Sequence, residues 1–345
     1  MTNKTILTWV WAMLLLLTVA RGVQAQVNQD LLEEFRQEAP KHWERYEAFA
    51  TRLQGSIHRR ATLFFPDRGF NNDVDELRYT VKQNPRSALL GGQPIKHSRN
   101  DVVEYYFLSN PQYCAEIRRK GNEDKDYLLK RHDPDPNAVI LPAPGTIRDW
   151  AFVALCPHFS FNGLRLSKCL THSGFQLKSA SAEQVGDRRL VRIEFEAKLG
   201  SEKQPSTFAG SLFFDPVRMW CLHQVRERAS TNPDNMAEAT LKYDVDDHPS
   251  GFPIVRHETR VTESTSGSFG KGKSVYEIDY DMSINERVPD SEFTLSAFGL
   301  PEPLGVTWTK PTPRYVWILI GAGVAGVLAV VFYYLARRKR AGQRS

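Results

Sequence analysis

The 345-residue chain holds only four cysteines: Cys114, Cys156, Cys169 and Cys221. None are spaced Cys-x-x-Cys, which argues against a zinc ribbon and a thioredoxin-type redox centre. Gly-x-Ser-x-Gly, the P-loop and His-Glu-x-x-His are missing too. With them go the sequence signatures of an α/β-hydrolase nucleophile, a phosphate cradle and a zinc peptidase. The nine histidines are scattered without ligand spacing. His257-Glu258 lacks a second histidine, and His42-x-Glu44 is half of a zinc-deaminase pattern with no cysteine pair after it. No catalytic residue, cofactor or metal is expected, and an enzyme ranks behind non-catalytic roles.

A basic surface is also lacking. Seven of the 45 basic residues lie at the two ends, as Lys4, Arg21, Arg337, Arg338, Lys339, Arg340 and Arg344, which leaves 38 against 40 acidic residues. The middle of the chain is therefore near neutral and has no nucleic-acid footprint. Asp244, Asp246, Asp247 and His248 form the densest acidic cluster. They precede Pro249-Ser250-Gly251 and lack the glycine and distal glutamate of an EF-hand loop, so they read as a polar hairpin turn.

What is present begins at the ends. Lys4, the apolar stretch Ile6 to Val19 and Val23-Gln24-Ala25 make a signal peptide over residues 1–25, with cleavage expected before Gln26. Residues 315–335 carry no charge, long enough at about 1.5 Å per residue to cross a bilayer core. Tyr315 and Trp317 flank one side, Tyr333 and Tyr334 the other, and the basic tail 336–345 follows. That pattern predicts a single C-terminal transmembrane helix with the tail in the cytoplasm and the bulk of the chain outside. Gly321, Gly323 and Gly326 spell Gly-x-Gly-x-x-Gly inside this span, without the strand or acidic residue of a dinucleotide site. Gly321 with Ala325, and Ala322 with Gly326, instead space small residues for helix–helix approach.

Between the ends, 41% hydrophobic and 25% charged residues suit a packed core. Leu32, Phe35, Trp43, Tyr46, Phe49 and Leu53 recur at helical steps, interrupted by Pro40, where a kink or restart is expected. Alternating strands follow over 56–65, 76–82, 102–108, 113–119 and 127–131, with Asn84-Pro85, Gly91-Gly92 and Asn110-Pro111 as turns. A proline-rich loop (132–149) and a short irregular or helical piece near 164–172 lead to a second strand series: 189–197, 208–214, 219–227, 239–244, 253–262 and 274–284. Residues 26–300 thus read as one α+β domain, an amphipathic helix packed on a large curved antiparallel sheet, joined to the span by a proline-rich stalk at 301–314. In an exported domain four cysteines permit one or two disulfides in three pairings. If they form, Cys156–Cys169 is the first choice, because its short loop lies across the least regular part of the chain; the alternative is four buried free thiols.

This order of elements resembles the lipoprotein-carrier half-barrels of the LolA/LolB type. Leu212-Phe213-Phe214-Asp215-Pro216 with Met219-Trp220, and Glu292-Phe293-Thr294-Leu295 with Phe298-Gly299-Leu300-Pro301-Glu302-Pro303, are similar to an uncharacterised family of membrane-anchored bacterial proteins. Leu300-Pro301-Glu302-Pro303 also resembles a PEP-type C-terminal sorting signal, although Leu304 to Arg314 separate it from the apolar helix. The half-barrel resemblance implies a concave face that holds a lipid or other hydrophobic ligand. A shuttle of that type is soluble, whereas this chain is expected to be tethered in the cell envelope. The alternative is a closed structural domain that presents a surface to envelope proteins.

Overall fold

The computed structural model describes residues 28–96, 104–119, 126–141, 145–201, 204–232, 235–264, 270–306, 322 and 324–328. A helix, α1, spans 28–49 and continues past Pro40, where the sequence predicted a kink or a restart; the restart does not occur. Proline removes one helical hydrogen bond. Here the cost is met by burial on both sides of it, because Phe35, Ala39, Trp43, Tyr46 and Ala50 line one face and are each at most 1% exposed.

Two antiparallel meanders follow. The first comprises β1 (Leu53–Phe65), β2 (Phe70–Gln83), β3 (Ala88–Lys96), β4 (Glu104–Ser109), β5 (Cys114–Arg119) and β6 (Leu128–Asp133). After helix α2 (Ile147–Leu155), the small hairpin β7 (Ser160–Phe161) and β8 (Leu164–Arg165), and the one-turn helix α3 (Leu166–Cys169), the second begins. It comprises β9 (Phe175–Val185), β10 (Arg188–Ser201), β11 (Gln204–Asp215), β12 (Cys221–Asn232), β13 (Asn235–Asp247), β14 (Pro253–Ser264) and β15 (Gly272–Ile284). The meanders fuse where β1 pairs with β15, from Leu53↔Ile284 to Phe64↔Lys273 without a register shift. One sheet of thirteen strands results, with β6 and β9 at its edges. Strands far outweigh helices, so the expected α+β class resolves into a mainly β fold with a few helices on one face.

Gly91-Gly92 is not a turn but the middle of β3. Gly91 pairs with Tyr106 and Gly92 with Tyr105 on β4. A Cβ on either glycine would overlap the tyrosine ring beside it. The glycines leave room for cross-strand aromatic rings, which then supply the packing that the glycines lack. The acidic cluster is mostly strand, not turn: Asp244, Asp246 and Asp247 lie in β13, which ends at Asp247, and the turn after it closes where His248 N–H donates to the Phe252 carbonyl at 2.8 Å.

Aromatic packing plugs one end of the inner face. The Trp43 indole N–H donates to the Trp220 carbonyl at 2.9 Å. Phe35 meets Phe214 at 4.8 Å and Trp220 at 5.5 Å. Tyr46 stacks on Phe159 at 3.9 Å, and Phe49 on Phe252 at 3.8 Å. The Phe214–Trp220 segment bends tightly enough for this because Asp215 Oδ1 accepts from Val217 N–H at 3.0 Å, while Met219 and Trp220 take left-handed φ of 58° and 54°. Beyond β15 the chain doubles back. Asn110 Nδ2 donates to the Phe293 carbonyl and Leu295 N–H to Tyr113 Oη, both at 2.9 Å, and Phe293 and Leu295 are fully buried.

The described residues up to Pro301 form one compact unit, and those from Glu302 another. The expected signal peptide and basic tail lie outside the described residues, as does the 315–335 span except Ala322 and 324–328, which are helical and exposed. Among the described residues no helix is long and apolar enough to cross a membrane.

Trp43→Ala should destabilise the protein by about 3–5 kcal/mol, the usual cost of emptying a large aromatic site in a core. Val217→Ala, at a side chain 89% exposed, should stay within about 0.5 kcal/mol of wild type. Equilibrium denaturation of both variants checks this, and equal midpoints would refute the role given to the plug.

Candidate functional site

Leu90 on β3 and Phe208 on β11 line the same cavity. Seven interstrand steps separate them in the sheet order. At about 4.8 Å per step a flat sheet would hold them roughly 34 Å apart. The sheet is therefore strongly curved, and the cavity occupies its concave face. Its volume is about 930 Å³, within the range of small-molecule sites.

The walls follow from strand alternation. Inward positions include Ile57 and Arg59 on β1, Tyr79 on β2, Val225 and Glu227 on β12, Leu241 and Tyr243 on β13, Glu258 and Arg260 on β14, and Tyr276, Ile278 and Tyr280 on β15. Trp150, Val153 and Ala154 of α2 face them, while Ile147, Ala151, Phe152 and Leu155 bury the helix's other side. A capping box between Thr146 and Asp149 fixes where α2 starts. The β7–β8 hairpin completes the wall. Its turn is Asn162-Gly163, with φ of 47° and 80°, the two positive values that a tight hairpin needs. Trp150 packs so closely on Gly163 that a Cβ there would stand 2.9 Å from the indole.

Within this largely apolar wall sit four charged side chains. Glu258 is 2% exposed; its Oε2 accepts from Tyr280 Oη at 2.8 Å, and its Oε1 lies 3.3 Å from Arg260 Nη2. Burial, reinforced by the Glu258 carboxylate, pushes the Tyr280 and Tyr243 hydroxyls well above the usual phenol range, so both stay protonated. Glu227 Oε2 accepts from Asn162 Nδ2 at 3.1 Å, which ties the hairpin to β12. Burial raises the Glu227 carboxyl above its ordinary pKa. The Arg59 guanidinium lies 5.8 Å from the Tyr79 ring and 5.7 Å from the Tyr276 ring.

The opposite face of β14 carries a different arrangement. His257 Nδ1 lies 2.8 Å from Asp279 Oδ1, and Thr259 Oγ1 lies 3.2 Å from His257 Nε2. Hydroxyl, imidazole and carboxylate are in relay order, but Asp279 is 66% exposed and the group lies on the outer surface of the sheet. Nucleophilic catalysis also needs oxyanion donors and a substrate cleft beside the hydroxyl. The arrangement reads as a surface ion pair.

Of the two readings of the cysteines, a possible Cys156–Cys169 bridge and four buried free thiols, the structure has the second. All four cysteines are free thiols in the core. Cys156 Sγ faces Tyr46 Oη at 3.6 Å, while Cys169 Sγ points to the Leu164 carbonyl at 4.0 Å. Each sulfur is taken up by its own packing environment, and burial pushes both thiols up to about 12. Of the residues proposed for self-association, Ala322, Ala325 and Gly326 are helical, and Gly321 lies outside the described residues. Neither Cys156 nor Cys169 lines the cavity. Of its polar residues only Glu258 was noted in the sequence, within an incomplete zinc motif, although Arg59 shares the strand phase of Ile57 and Ala61, and Asn162-Gly163 is a hairpin signal.

Glu227 supplies a pH test. The folded protein holds this proton more tightly than the unfolded chain, so ionisation removes stability as pH rises from the unfolded carboxylate value, about 4.3, through the raised folded one. Glu227→Gln should therefore melt at a higher temperature than wild type at pH 7, and the gain should vanish near pH 4. A variant less stable at both pH values would contradict the assignment.

No protein-family model matches the chain, and no curated protein does. Among solved structures, it is similar to a DUF1329 family protein from Desulfovibrio piger, with 11% identity, coverage of 75% of this chain and 97% of that one, and a TM-score of 0.42. It is also similar to a domain from Vibrio parahaemolyticus assigned as an outer membrane lipoprotein-sorting protein, with 10% identity, coverage of 79% and 99%, and a TM-score of 0.38. Scores of this size carry no argument about ligand or activity, which rest on the cavity itself.

Proposed function

We propose that this protein is a non-catalytic binding module that holds a lipid or other hydrophobic ligand in the cavity on its concave face. The observation that carries the reading is the cavity: about 930 Å³ left open beside a core plugged by α1, with Leu90, Val153, Phe161, Phe208 and Leu241 on its walls. A purely structural domain has no need of such a space, because filling it would add burial worth about 0.8 kcal/mol per methylene. That consideration favours a ligand over the alternative of an interaction surface alone.

Native mass spectrometry of the full-length protein, released from detergent after expression in an exporting host, tests this. The expected spectrum shows a chain starting at Gln26 with a co-purifying lipid-sized adduct. Added ligand at a hundredfold excess over its dissociation constant should stabilise the fold by about 2.7 kcal/mol. A ligand-free protein whose melting temperature ignores fatty acids and phospholipids would hand the case to the interaction-domain reading.

The same proposal places the module outside the cytoplasm, held by residues 315–335 and spaced from the bilayer by the proline-rich stalk. Self-association through Gly321, Ala322, Ala325 and Gly326 would then occur within that span. A tether of this kind suits local sensing or hand-over at one membrane. Alkaline carbonate should leave the full chain in the membrane pellet, and its release into the supernatant would rule the anchor out.

A further inference from the structure

Arg59 is the charged group in the cavity whose chemistry is unfinished. Among the described residues no carboxylate pairs with it, and its buried Nε has no hydrogen-bond partner. The other cavity charges are accounted for: Glu258 faces Arg260, and Glu227 accepts from Asn162. Tyr79 and Tyr276 flank the Arg59 guanidinium. Their π faces attract the cation and hold its orientation, but they accept none of its in-plane hydrogen bonds. A planar guanidinium left with free donors in a mainly apolar cavity matches a carboxylate or phosphate in charge and shape. Leu90, Val153, Ala154, Phe161 and Phe208 line the same space and offer room for a hydrocarbon chain.

We propose that Arg59 is the headgroup-binding residue of this cavity, and that the ligand is an anionic amphiphile: one acyl chain ending in a carboxylate or a phosphate monoester. The proposal rests on the ligand-binding reading and adds the chemical class.

Photolabelling of the full-length protein in nanodiscs separates the two. The probes are a diazirine-bearing hexadecanoic acid, the lysophosphatidic acid of the same chain, and the corresponding uncharged hexadecanol. In the wild type, at least one anionic probe should label peptides from 53–65 or 272–284 at a concentration about tenfold lower than hexadecanol requires. Arg59→Gln should abolish that advantage and leave hexadecanol labelling unchanged, while Arg59→Lys, which keeps the charge but loses the planar fork, should retain part of it. Whichever anionic probe is preferred identifies the head. Equal labelling by acid and alcohol in the wild type would overturn the proposal without any variant. So would an Arg59→Gln protein, melting as wild type, that keeps the anionic preference or weakens all three probes alike. If hexadecanol and both anions fail to label the cavity, the ligand-binding reading falls, and this proposal with it.

Discussion

The contact between α1 and the turn joining β11 to β12 governs how the inner face of the sheet is used. Trp43 donates its indole hydrogen bond to the backbone of Trp220, and Phe35, Phe214 and Trp220 close around it. A curved sheet of thirteen strands cannot bury its own concave face. Something must fill it, and α1 does so at the end where β1 starts and β15 finishes. The polar bond matters as well as the area. It satisfies a carbonyl held in a left-handed stretch of backbone that has no sheet partner to offer.

Where α1 stops, α2 and the Asn162-Gly163 hairpin take over, and they stand off from the strands instead of packing onto them throughout. The space they leave collects charged side chains at inward positions. Each is partnered in a way that fits a low-dielectric setting: Glu258 by the hydroxyl of Tyr280 and the charge of Arg260, Glu227 by an amide. Arg59 alone among these four has only aromatic faces beside it, so the cavity's electrostatics are asymmetric by construction.

Much of this architecture was legible in the sequence, and the losses have physical causes. Helical periodicity located α1, and alternation located most strands, because each buries one face. Pro40 started no second helix, because burial on both flanks outweighed one missing hydrogen bond. Gly91-Gly92 misled because the packing that makes it a strand comes from tyrosines on β4, which local sequence cannot show. Helix α2 was hidden behind the prolines that precede it, and β9 fell in the unassigned stretch between the piece near 164–172 and the strand at 189. The site was scarcely legible. Glu258 drew notice only as part of a failed metal motif, and Arg59 drew none, because only the strand register places it inward with Ile57 and Ala61. A Cys156–Cys169 bridge was the first pairing because its short loop crosses the least regular part of the chain, whereas Cys156 is held by Tyr46, a residue far away in sequence.

The seam between β1 and β15 has a consequence for how the chain reaches this state. In each meander the strands pair with sequence neighbours, so hairpins can form as soon as they are synthesised. Leu53, however, must wait for Ile284. Until the last strand is available, β1 remains an unpaired edge in the middle of the future sheet, with α1 already made and only part of its aromatic docking site present. Loop closure over such a separation is slow compared with hairpin formation. A chain in which β15 has not yet docked would hold two half-sheets with β1 as an open edge and α1 short of part of its docking site, the arrangement most open to misassembly.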